Sequence, residues 1–364
     1  NTKSLEMKVI IGGAGITGLA VGCYLQKKGI DFQILEQSVK PQYLTTGIQL
    51  ASNCHFVFSE LNLYDLVKEK SIERKSLDVY ADNNKLNELS TKNFDDTGTF
   101  FIRRSDLITI FKSSISADKI FHSKAISNVE QNDRNVSLLI DGEEHKCDLF
   151  LDCMGANSIT TKNATKTSSK AIWGISTYTD ILFQSFNNFM YENMHFVTYP
   201  LTQNETAFTL VLNTDKLCID LKNIDIRDLD SILNYKFTNL INNAGPLVVK
   251  DIYTSETNNW GKGQIISLGD SAHAITPHLA QGAAQGLIDA AFFNQSKDCN
   301  IFLNDAFQNR NKLINKIRSE SKLNKQRYQM GMPAKLFRNL YLKLYKPNYN
   351  WLFNSKYEIK CKSQ

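Results

Sequence analysis

Residues 9–36, VIIGGAGITGLAVGCYLQKKGIDFQILE, decide the fold of this chain. The apolar run Val9–Ile11 predicts a buried parallel strand that ends at glycines. The segment through Lys28 has the spacing of a helix, and Phe32–Leu35 predicts a second strand with Glu36 at its carboxyl end. The order of strand, glycine turn, helix, strand and acid is typical of a dinucleotide-binding α/β sheet.

The turn between the first strand and the helix has the pattern G-x-G-x-x-G. It consists of Gly13, Ala14, Gly15, Ile16, Thr17 and Gly18. In such a turn the first glycine allows a tight bend, the second lets the backbone approach a pyrophosphate, and the third lets the helix pack on the strand. The amides and dipole at the start of the helix favour phosphates, and a carboxylate at Glu36 can accept a hydrogen bond from a ribose hydroxyl.

Composition excludes several classes of protein. With 364 residues, 42% hydrophobic and 22% charged, the chain is an ordinary globular protein of one or two domains. Its net charge of +5 is too diffuse for a nucleic-acid surface. The seven cysteines form no C-x-x-C pair, so we expect neither a disulfide framework nor a zinc or other metal site, and we expect a reducing cytoplasm. No apolar run reaches membrane-spanning length, so we expect no stable membrane insertion.

Local patterns predict the remaining elements. Residues 119–152 predict a small antiparallel sheet attached to the parallel one, and polar residues 157–169 predict a connection. Residues 171–254 predict a second, mostly β unit with one helix over 228–240. The strand at 100–103 is predicted to run into a helix capped by Ser105 or Asp106. Residues 305–328 predict a helix whose basic residues form a solvated face.

Three further motifs follow residues 9–36 in the chain. GIQLASNC (residues 47–54) is similar to G-I-x-L-x-P-N-A, and Arg104–Leu107 is similar to R-x-D-L. GDSAH (269–273), PHLAQGA (277–283) and Asp289-Ala290 are similar to G-D-A-A-H…P-x-x-A-Q-G…D-A. Together with the glycine turn, they make the chain resemble the single-component FAD-dependent aromatic monooxygenases of the p-hydroxybenzoate hydroxylase superfamily, above all its salicylate hydroxylase and 6-hydroxynicotinate 3-monooxygenase branch.

The resemblance implies an α/β fold in which a Rossmann-like FAD-binding domain is interleaved with a β-sheet substrate domain and followed by C-terminal helices. The FAD-binding domain is expected at residues 1–75, 98–168 and 260–305. The substrate domain is expected at 76–97 and 169–259, and the helical segment at 306–364. Whether the tail packs on its own core or on a twin subunit stays open, so the protein is a monomer or a homodimer.

The resemblance also implies the chemistry. NAD(P)H, a transient co-substrate, would reduce the FAD, O₂ would add to it as a C4a-hydroperoxide, and its distal OH would pass to a small aromatic, phenol-like substrate. The residues expected to contact FAD are Gly13, Ala14, Gly15, Thr17, Gly18, Glu36, Gln37, Arg104, Ile126, Asp270, Gln281, Gly282 and Ala283.

Histidines are the default groups for removing a phenolic proton near neutral pH. His195 and Tyr199 form an H-x-x-x-Y-P pattern that resembles the substrate pocket of the related hydroxylases, and the period of two places both on one face of a strand. His278 follows Pro277 where the reactive edge of the flavin is expected. Our hypothesis is that His278, His195 and Tyr199 orient and deprotonate the substrate, which Gln49 and Pro277 also contact.

Two positions depart from the family. Met154 and Thr161 stand where the family has an Asp and an Arg that serve the flavin and the nicotinamide, and Asp152 is a candidate substitute for the Asp. The substrate region also lacks an obvious Arg to pair with a carboxylate. Two alternatives therefore stay open: tailoring or inactivation of a polycyclic natural product such as an antibiotic, and a flavin-binding protein that has lost hydroxylase activity.

Overall fold

The computed structural model describes residues 7–39, 45–133, 135–217 and 235–354. Its central sheet is formed by β1 (Val9–Gly12), β2 (Phe32–Glu36), β8 (Ile120–His122), β12 (Leu149–Asp152), β18 (Gly261–Lys262) and β19 (Ile265–Ser267). Their spatial order is β18-β19-β12-β1-β2-β8, and every neighbouring pair is parallel except β18 with β19. β1 is thus central in this sheet, with Val9 paired to Leu149 on one side and to Phe32 on the other.

A larger sheet has seven strands. They are β5 (Ser76–Ala81), β6 (Asn84–Ser90), β13 (Ala164–Ser176), β14 (Asn187–Tyr191), β15 (Met194–Thr202), β16 (Glu205–Asn213) and β17 (Val248–Ser255). Their order is β17-β13-β16-β15-β14-β5-β6. The strand pair from the first third of the chain therefore extends a sheet from its middle third, because β5 pairs in parallel with β14.

Two three-stranded sheets complete the β-structure of the described residues. One consists of β3 (Gly47–Leu50), β4 (Ile72–Arg74) and β7 (Thr99–Arg103), with β7 in the centre. The other consists of β9 (Ile126–Gln131), β10 (Val136–Ile140) and β11 (Glu143–Cys147), all antiparallel. This second sheet confirms the small antiparallel unit predicted within residues 119–152.

The helices cover the central sheet and form the tail. They are α1 (Ile16–Lys28), α2 (His55–Glu60), α3 (Tyr64–Glu69), α4 (Arg104–Ser113), α5 (Thr214–Leu217), α6 (Tyr235–Asn242), α7 (Asp270–His273), α8 (Gly282–Gln295), α9 (Cys299–Asp305), α10 (Asn311–Tyr328), α11 (Ala334–Leu344) and α12 (Asn350–Phe353). A π-helical turn, Ala306–Arg310, joins α9 to α10. Within the described ranges, every helix is too short or too polar to traverse a bilayer.

Three local predictions differ from the structure. α4 begins at Arg104 rather than after Ser105 or Asp106, because β7 continues through Arg103, which still pairs with Gly47. β13 begins at Ala164, inside the predicted connection, because it pairs with the distant β17. Of the helix predicted over 228–240, the part before residue 235 lies outside the described residues, and the described part is α6.

A fully buried ion pair ties the tail helices to the sheet. The carboxylate of Asp289 on α8 accepts hydrogen bonds from the Gly269 amide at 2.9 Å, His273 Nε2 at 2.6 Å and Arg310 Nη2 at 2.6 Å. Arg310 is 1% exposed, so the prediction of a solvated basic face is wrong for this residue. The π-helical turn shifts the phase of the helix there, so one 3.6-residue periodicity does not run through it.

The helices α1 and α8 approach each other as closely as a glycine allows. A Cβ built on Gly286 would lie 2.2 Å from Thr17 Oγ1, and one built on Gly18 would lie 2.0 Å from the Gly13 carbonyl oxygen. No real Cβ tolerates such distances, so these glycines set the spacing between α1, α8 and the glycine turn.

We predict that Gly286→Ala lowers the free energy of unfolding of the apoprotein by about 1–3 kcal/mol, as overpacking of a tight contact does. Adding Thr17→Ala removes the atom that clashes and should restore most of the loss. Urea unfolding of the two single variants and the double variant measures the coupling. Gly245→Ala is the matched control, since its nearest neighbour is 4.0 Å away; additive effects of Gly286→Ala and Thr17→Ala would contradict the assignment.

Candidate active site

The glycine turn leaves the N-terminus of α1 open to a ligand. The N-cap is Gly15; its helix has no acidic residue in the first turn, and no described side chain caps it. A Cβ on Gly15 would meet no described atom within 4 Å, in contrast to the crowding at Gly13 and Gly18. Unpaired amides, a positive dipole end and free space in front of them form an anion site, as expected for a pyrophosphate.

Glu36 is fixed beside this turn by backbone donors. Its Oε2 accepts from the Ala14 amide at 3.0 Å and its Oε1 from the Ser38 amide at 2.8 Å. Each carboxylate oxygen keeps a further lone pair for a ribose hydroxyl. Gln37 lies exposed directly after β2, and Ile126 lies half-buried at the start of β9. These positions fit the adenosine side of a dinucleotide.

A second group of predicted residues lies where the loop after β19 meets α8. Asp270 is exposed and follows Gly269, whose φ of +63° favours glycine. A Cβ on Gly282 would meet only the Asp270 carboxylate, at 3.7 Å. The surrounding protein raises the pKa of Asp270, while the positive charge of Arg104 opposes that rise. The cleft therefore brings together the Asp270 carboxylate, the Arg104 guanidinium and the start of α8, where Gly282 leaves space for a ligand. This arrangement suits the hydroxyl-rich ribityl chain of a flavin.

The start of α8 is held by a chain of buried amides. Gln281, the N-cap of α8, accepts through Oε1 from Asn53 Nδ2 at 3.0 Å and from Gln285 Nε2 at 2.8 Å. Gln285 Oε1 in turn accepts from Arg310 Nη2 at 2.9 Å. The Gln281 Nε2 atom is buried without a hydrogen-bond partner in the described part of the chain. Because an unpaired buried donor is costly, this atom and the half-buried Ala283 beside it mark a place for a ligand acceptor.

A cavity of about 80 Å³ lies between the seven-stranded sheet, the loop before α8 and the end of α10. It gathers four of the predicted substrate-side residues, Gln49, His195, Pro277 and His278, from three separate elements. Sequence reasoning missed other polar side chains that line it, among them Asn188, Tyr328 and Tyr349. They come from β14 and from the tail, and no local pattern links them to the motifs.

The two histidines lie side by side in this cavity. Their ring centroids are 5.0 Å apart, and the Tyr328 ring is 5.2 Å from that of His195. Burial lowers the pKa of His195 to about 3 and holds the pKa of His278 well below its ordinary value, so both rings are neutral at pH 7. Both ring nitrogens of His278, which is 4% exposed, are without a partner among the described residues.

Tyr199 lies apart from the cavity. Its ring stacks on Phe101, with centroids 4.7 Å apart, and lies close enough to Gly47 that a Cβ there would come within 2.9 Å of it. Burial raises the pKa of its hydroxyl, an effect that the nearby Arg104 opposes. The structure thus places Tyr199 against β3 and β7, and its predicted contact with substrate stays a prediction.

The predicted substitute for the missing family Asp is not available. Asp152 is fully buried and accepts hydrogen bonds from the Met154 amide at 3.0 Å and from the hydroxyls of Ser158 and Thr160. Thr161, at the position of the family Arg, donates to the Ser271 carbonyl oxygen at 2.7 Å. Asp152 therefore holds this loop and does not replace the charge missing at Met154.

Comparison with known proteins shows which proteins the chain resembles. No protein-family model matches the chain. It is 25% identical over 302 residues to 2-heptyl-3-hydroxy-4(1H)-quinolone synthase of Pseudomonas aeruginosa, a match that covers 78% of this chain and 79% of that protein. It is 26% identical over 313 residues to Monooxygenase 1 of Arabidopsis thaliana, covering 78% and 77%. The chain is a homologue of the FAD-dependent monooxygenases.

The solved structures agree. HpxO of Klebsiella pneumoniae, in a complex with FAD, superposes on this monooxygenase homologue with a TM-score of 0.79 at 17% identity, covering 93% of this chain and 95% of that one. This match confirms the predicted α/β fold with its C-terminal helices. The resemblance stated from the sequence, the flavin-dependent oxidoreductase class and FAD as the cofactor are confirmed by these relatives.

We predict that Gly15→Ala leaves the apoprotein as stable as wild type within about 1 kcal/mol, because its φ of −74° suits alanine and its Cβ meets no described atom. FAD affinity should fall at least about tenfold, since the methyl group would occupy the space assigned to the pyrophosphate. Flavin fluorescence titration and urea unfolding separate the two effects. An unchanged FAD dissociation constant would refute the location of the pyrophosphate.

Stability should depend on pH through the buried histidines. Because the pKa of His195 is about 3 in the folded protein and about 6.5 when unfolded, the unfolded state takes up the proton between these values. Stability is therefore greatest above about pH 6.5 and falls as the pH drops towards 3, by up to about 1.4 kcal/mol per pH unit. Urea unfolding at pH 7, 6 and 5 should show a shallower slope for His195→Gln; equal slopes would refute the buried neutral ring.

Proposed function

We propose that this protein is a monooxygenase that holds FAD between its two large sheets and uses NAD(P)H and O₂ to hydroxylate a small, uncharged aromatic or phenol-like compound. The observation that carries the proposal is the cavity with two neutral imidazoles, one of which, His278, has both ring nitrogens unpaired within the described chain. Buried polar groups are normally hydrogen-bonded, so His278 calls for a polar ligand group.

FAD would supply the activation of O₂ once NAD(P)H has reduced it. The chain's own contribution begins with binding: the α1 amides face the pyrophosphate, Glu36 the adenine-side ribose, and Asp270 with Arg104 the ribityl chain. Gln281, Gly282 and Ala283 present the N-terminus of α8 to the ring, where a helix dipole stabilises negative charge. The absence of acid in the first turn of α8 and of a capping side chain from any described residue supports this placement.

The cavity lining supports an uncharged substrate. The described residues that line it include no Asp, Glu, Lys or Arg, and its histidines are neutral. A benzoate carboxylate would lose its hydration there without a cation to pair with, which is strongly unfavourable. An uncharged ring is therefore favoured over a benzoate, and the name of the Pseudomonas aeruginosa relative likewise describes a 4(1H)-quinolone.

Cavity size bears on the polycyclic alternative. A volume of about 80 Å³ holds only a handful of water molecules. The space that the described side chains leave is thus small, and we keep tailoring or inactivation of a polycyclic antibiotic as the weaker proposal.

The histidines are proposed to orient the substrate. A neutral imidazole donates from one nitrogen and accepts at the other, so His195, His278 and Gln49 can fix a ring hydroxyl or ring N–H against the flavin. Proton removal is less well supported, because a ring whose pKa is about 3 holds a proton poorly at neutral pH. We therefore retain the orienting role and give up the deprotonating one.

The compartment is proposed to be a reducing one such as the cytoplasm. The cysteines of the described chain, Cys23, Cys54, Cys147, Cys153 and Cys299, are free thiols, and burial raises the pKa of each. Buried thiols with raised pKa react slowly, and nothing about them requires an oxidising environment.

The second candidate, a flavin-binding protein without hydroxylase activity, is favoured by Met154 and Thr161. The loop at these positions is fixed by Asp152 and lacks the usual charges for the flavin and the nicotinamide. Reduction by NAD(P)H is the step that would be lost.

One spectroscopic experiment separates these candidates. We predict that NADH or NADPH, added anaerobically to the FAD-loaded protein, bleaches the flavin absorption, and does so faster with a neutral hydroxyquinoline than with salicylate. His278→Phe should abolish the acceleration by the hydroxyquinoline and keep the flavin. Flavin bands that persist in wild type but bleach in Met154→Asp/Thr161→Arg would favour the second candidate, and faster bleaching with salicylate would contradict the uncharged substrate.

A further inference from the structure

Helix α11 exposes one continuous apolar face. The side chains of this apolar stripe are about half or more exposed: Leu336, Phe337, Leu340, Tyr341, Leu344 and Tyr345. Their spacing of three and four residues places them on one side of a helix. The opposite side is attached to the protein, because Leu342 is buried in a cluster with Val79 and Leu89. The stripe therefore belongs to a helix that is held in place and is not a frayed end.

The surroundings of the stripe are positively charged. Residues 321–354 contain seven Lys and Arg and no Asp or Glu, whereas the whole chain has a net charge of only +5, so the rest of the chain is slightly acidic. Lys343 and Lys346 are exposed beside the stripe. Lys335 pairs with Asp82, and Arg338 is buried with its guanidinium donating to the Arg327 carbonyl oxygen, so these two fasten the helix.

We propose that the apolar stripe of α11 docks on the surface of an anionic lipid bilayer. An apolar face of Leu, Phe and Tyr flanked by lysines is the composition of a helix that lies in the membrane interface, where acyl chains take the apolar residues and acidic headgroups the lysines. A second copy of the chain fits less well, because a two-fold interface pairs a patch with the same patch of the copy. Residues 321–354 contain seven Lys and Arg and no Asp or Glu, so the lysines beside the stripe would find no acidic partner among these residues of the copy.

Docking would bring the cavity close to the membrane. Leu89 belongs to the cluster that buries Leu342 of α11 and also lines the cavity, so the same cluster borders both the docked helix and the substrate site. This consequence rests on the proposed function, since an uncharged aromatic substrate would partition into the bilayer. The docking itself does not depend on it.

The test uses the FAD-loaded full chain and sedimentation with vesicles of phosphatidylcholine alone or with 30% phosphatidylglycerol. We expect binding to the anionic vesicles that decreases with salt. Phe337→Ser/Leu344→Ser replaces the two most exposed members of the stripe, 75% and 80%, and should weaken binding at least about tenfold. Lys343→Gln/Lys346→Gln should weaken it by up to about thirtyfold.

The matched control is Ile181→Ser, which removes an apolar side chain that is 89% exposed elsewhere and should bind like wild type. Equal flavin content and urea midpoints in all variants establish that the fold is intact, and they separate a failure of docking from a failure of the proposed function. Wild-type protein that stays in solution with anionic vesicles would overturn the proposal. So would a dimer in light scattering that Phe337→Ser/Leu344→Ser converts to monomer, since the stripe would then bind a second copy.

Discussion

The buried pair between Asp289 and Arg310 is the interaction on which the rest of the site depends. Burial alone would raise the pKa of Asp289, but His273 and Arg310 outweigh it and lower the pKa to about 2, so the carboxylate stays charged in the core. Removing one partner of such a pair typically costs about 3–5 kcal/mol, because the other charge is left buried alone. The pair also links three parts of the chain: the loop after β19 through the Gly269 amide, α8, and the tail helices.

From Arg310 the hydrogen bonds continue to the place where the flavin ring is expected. Gln285 and Gln281 carry them along α8 to Asn53, which lies in the 3₁₀ turn that follows β3, the strand that holds Gln49. Each member is almost fully buried, and such networks hold a single geometry when their groups are satisfied. Two buried donors of the network, Gln281 Nε2 and Arg310 Nη1, have no partner among the described residues, and the Gln281 atom lies at the end that would meet the cofactor. The tail helices are thus part of the cofactor site as well as a cover for the core.

Prediction from sequence worked where the determinants are local. Residues 9–36 specify their strands and helix by apolar periodicity and glycine geometry. The strand of Val9 in the central sheet and the strand of His195 in the seven-stranded sheet were both predicted. It failed where distant partners decide the outcome. β13 begins before its predicted start because it pairs with β17. β14 was not predicted, because its strand conformation depends on pairing with β5 and β15. Arg310 was assigned to solvent because the charge that buries it lies 21 residues earlier, on another helix.

The site shows the same division. Gln49, His195, Pro277 and His278 could be selected as residue types beside motifs, and the fold brings them to one cavity. The pKa values of the histidines could not be predicted from the sequence. They depend on desolvation, and the side chains that close the cavity come from β14 and the tail. The sequence suggested that the histidines both orient and deprotonate the substrate. Because the rings are neutral in an uncharged pocket, our proposal keeps only the orienting role. The same desolvation favours an uncharged ring over a benzoate, a choice that the sequence left open.

The most direct test of the buried network is the FAD dissociation constant of Arg310→Met, determined by flavin fluorescence at a temperature where the variant remains folded. Methionine keeps much of the side-chain volume but leaves Asp289 and Gln285 without their shared donor. If the buried network positions the start of α8 and the Gly269-Asp270 turn for the cofactor, FAD affinity falls at least about tenfold together with the free energy of unfolding. A variant that loses stability but binds FAD with wild-type affinity would contradict the claim that this network organises the site.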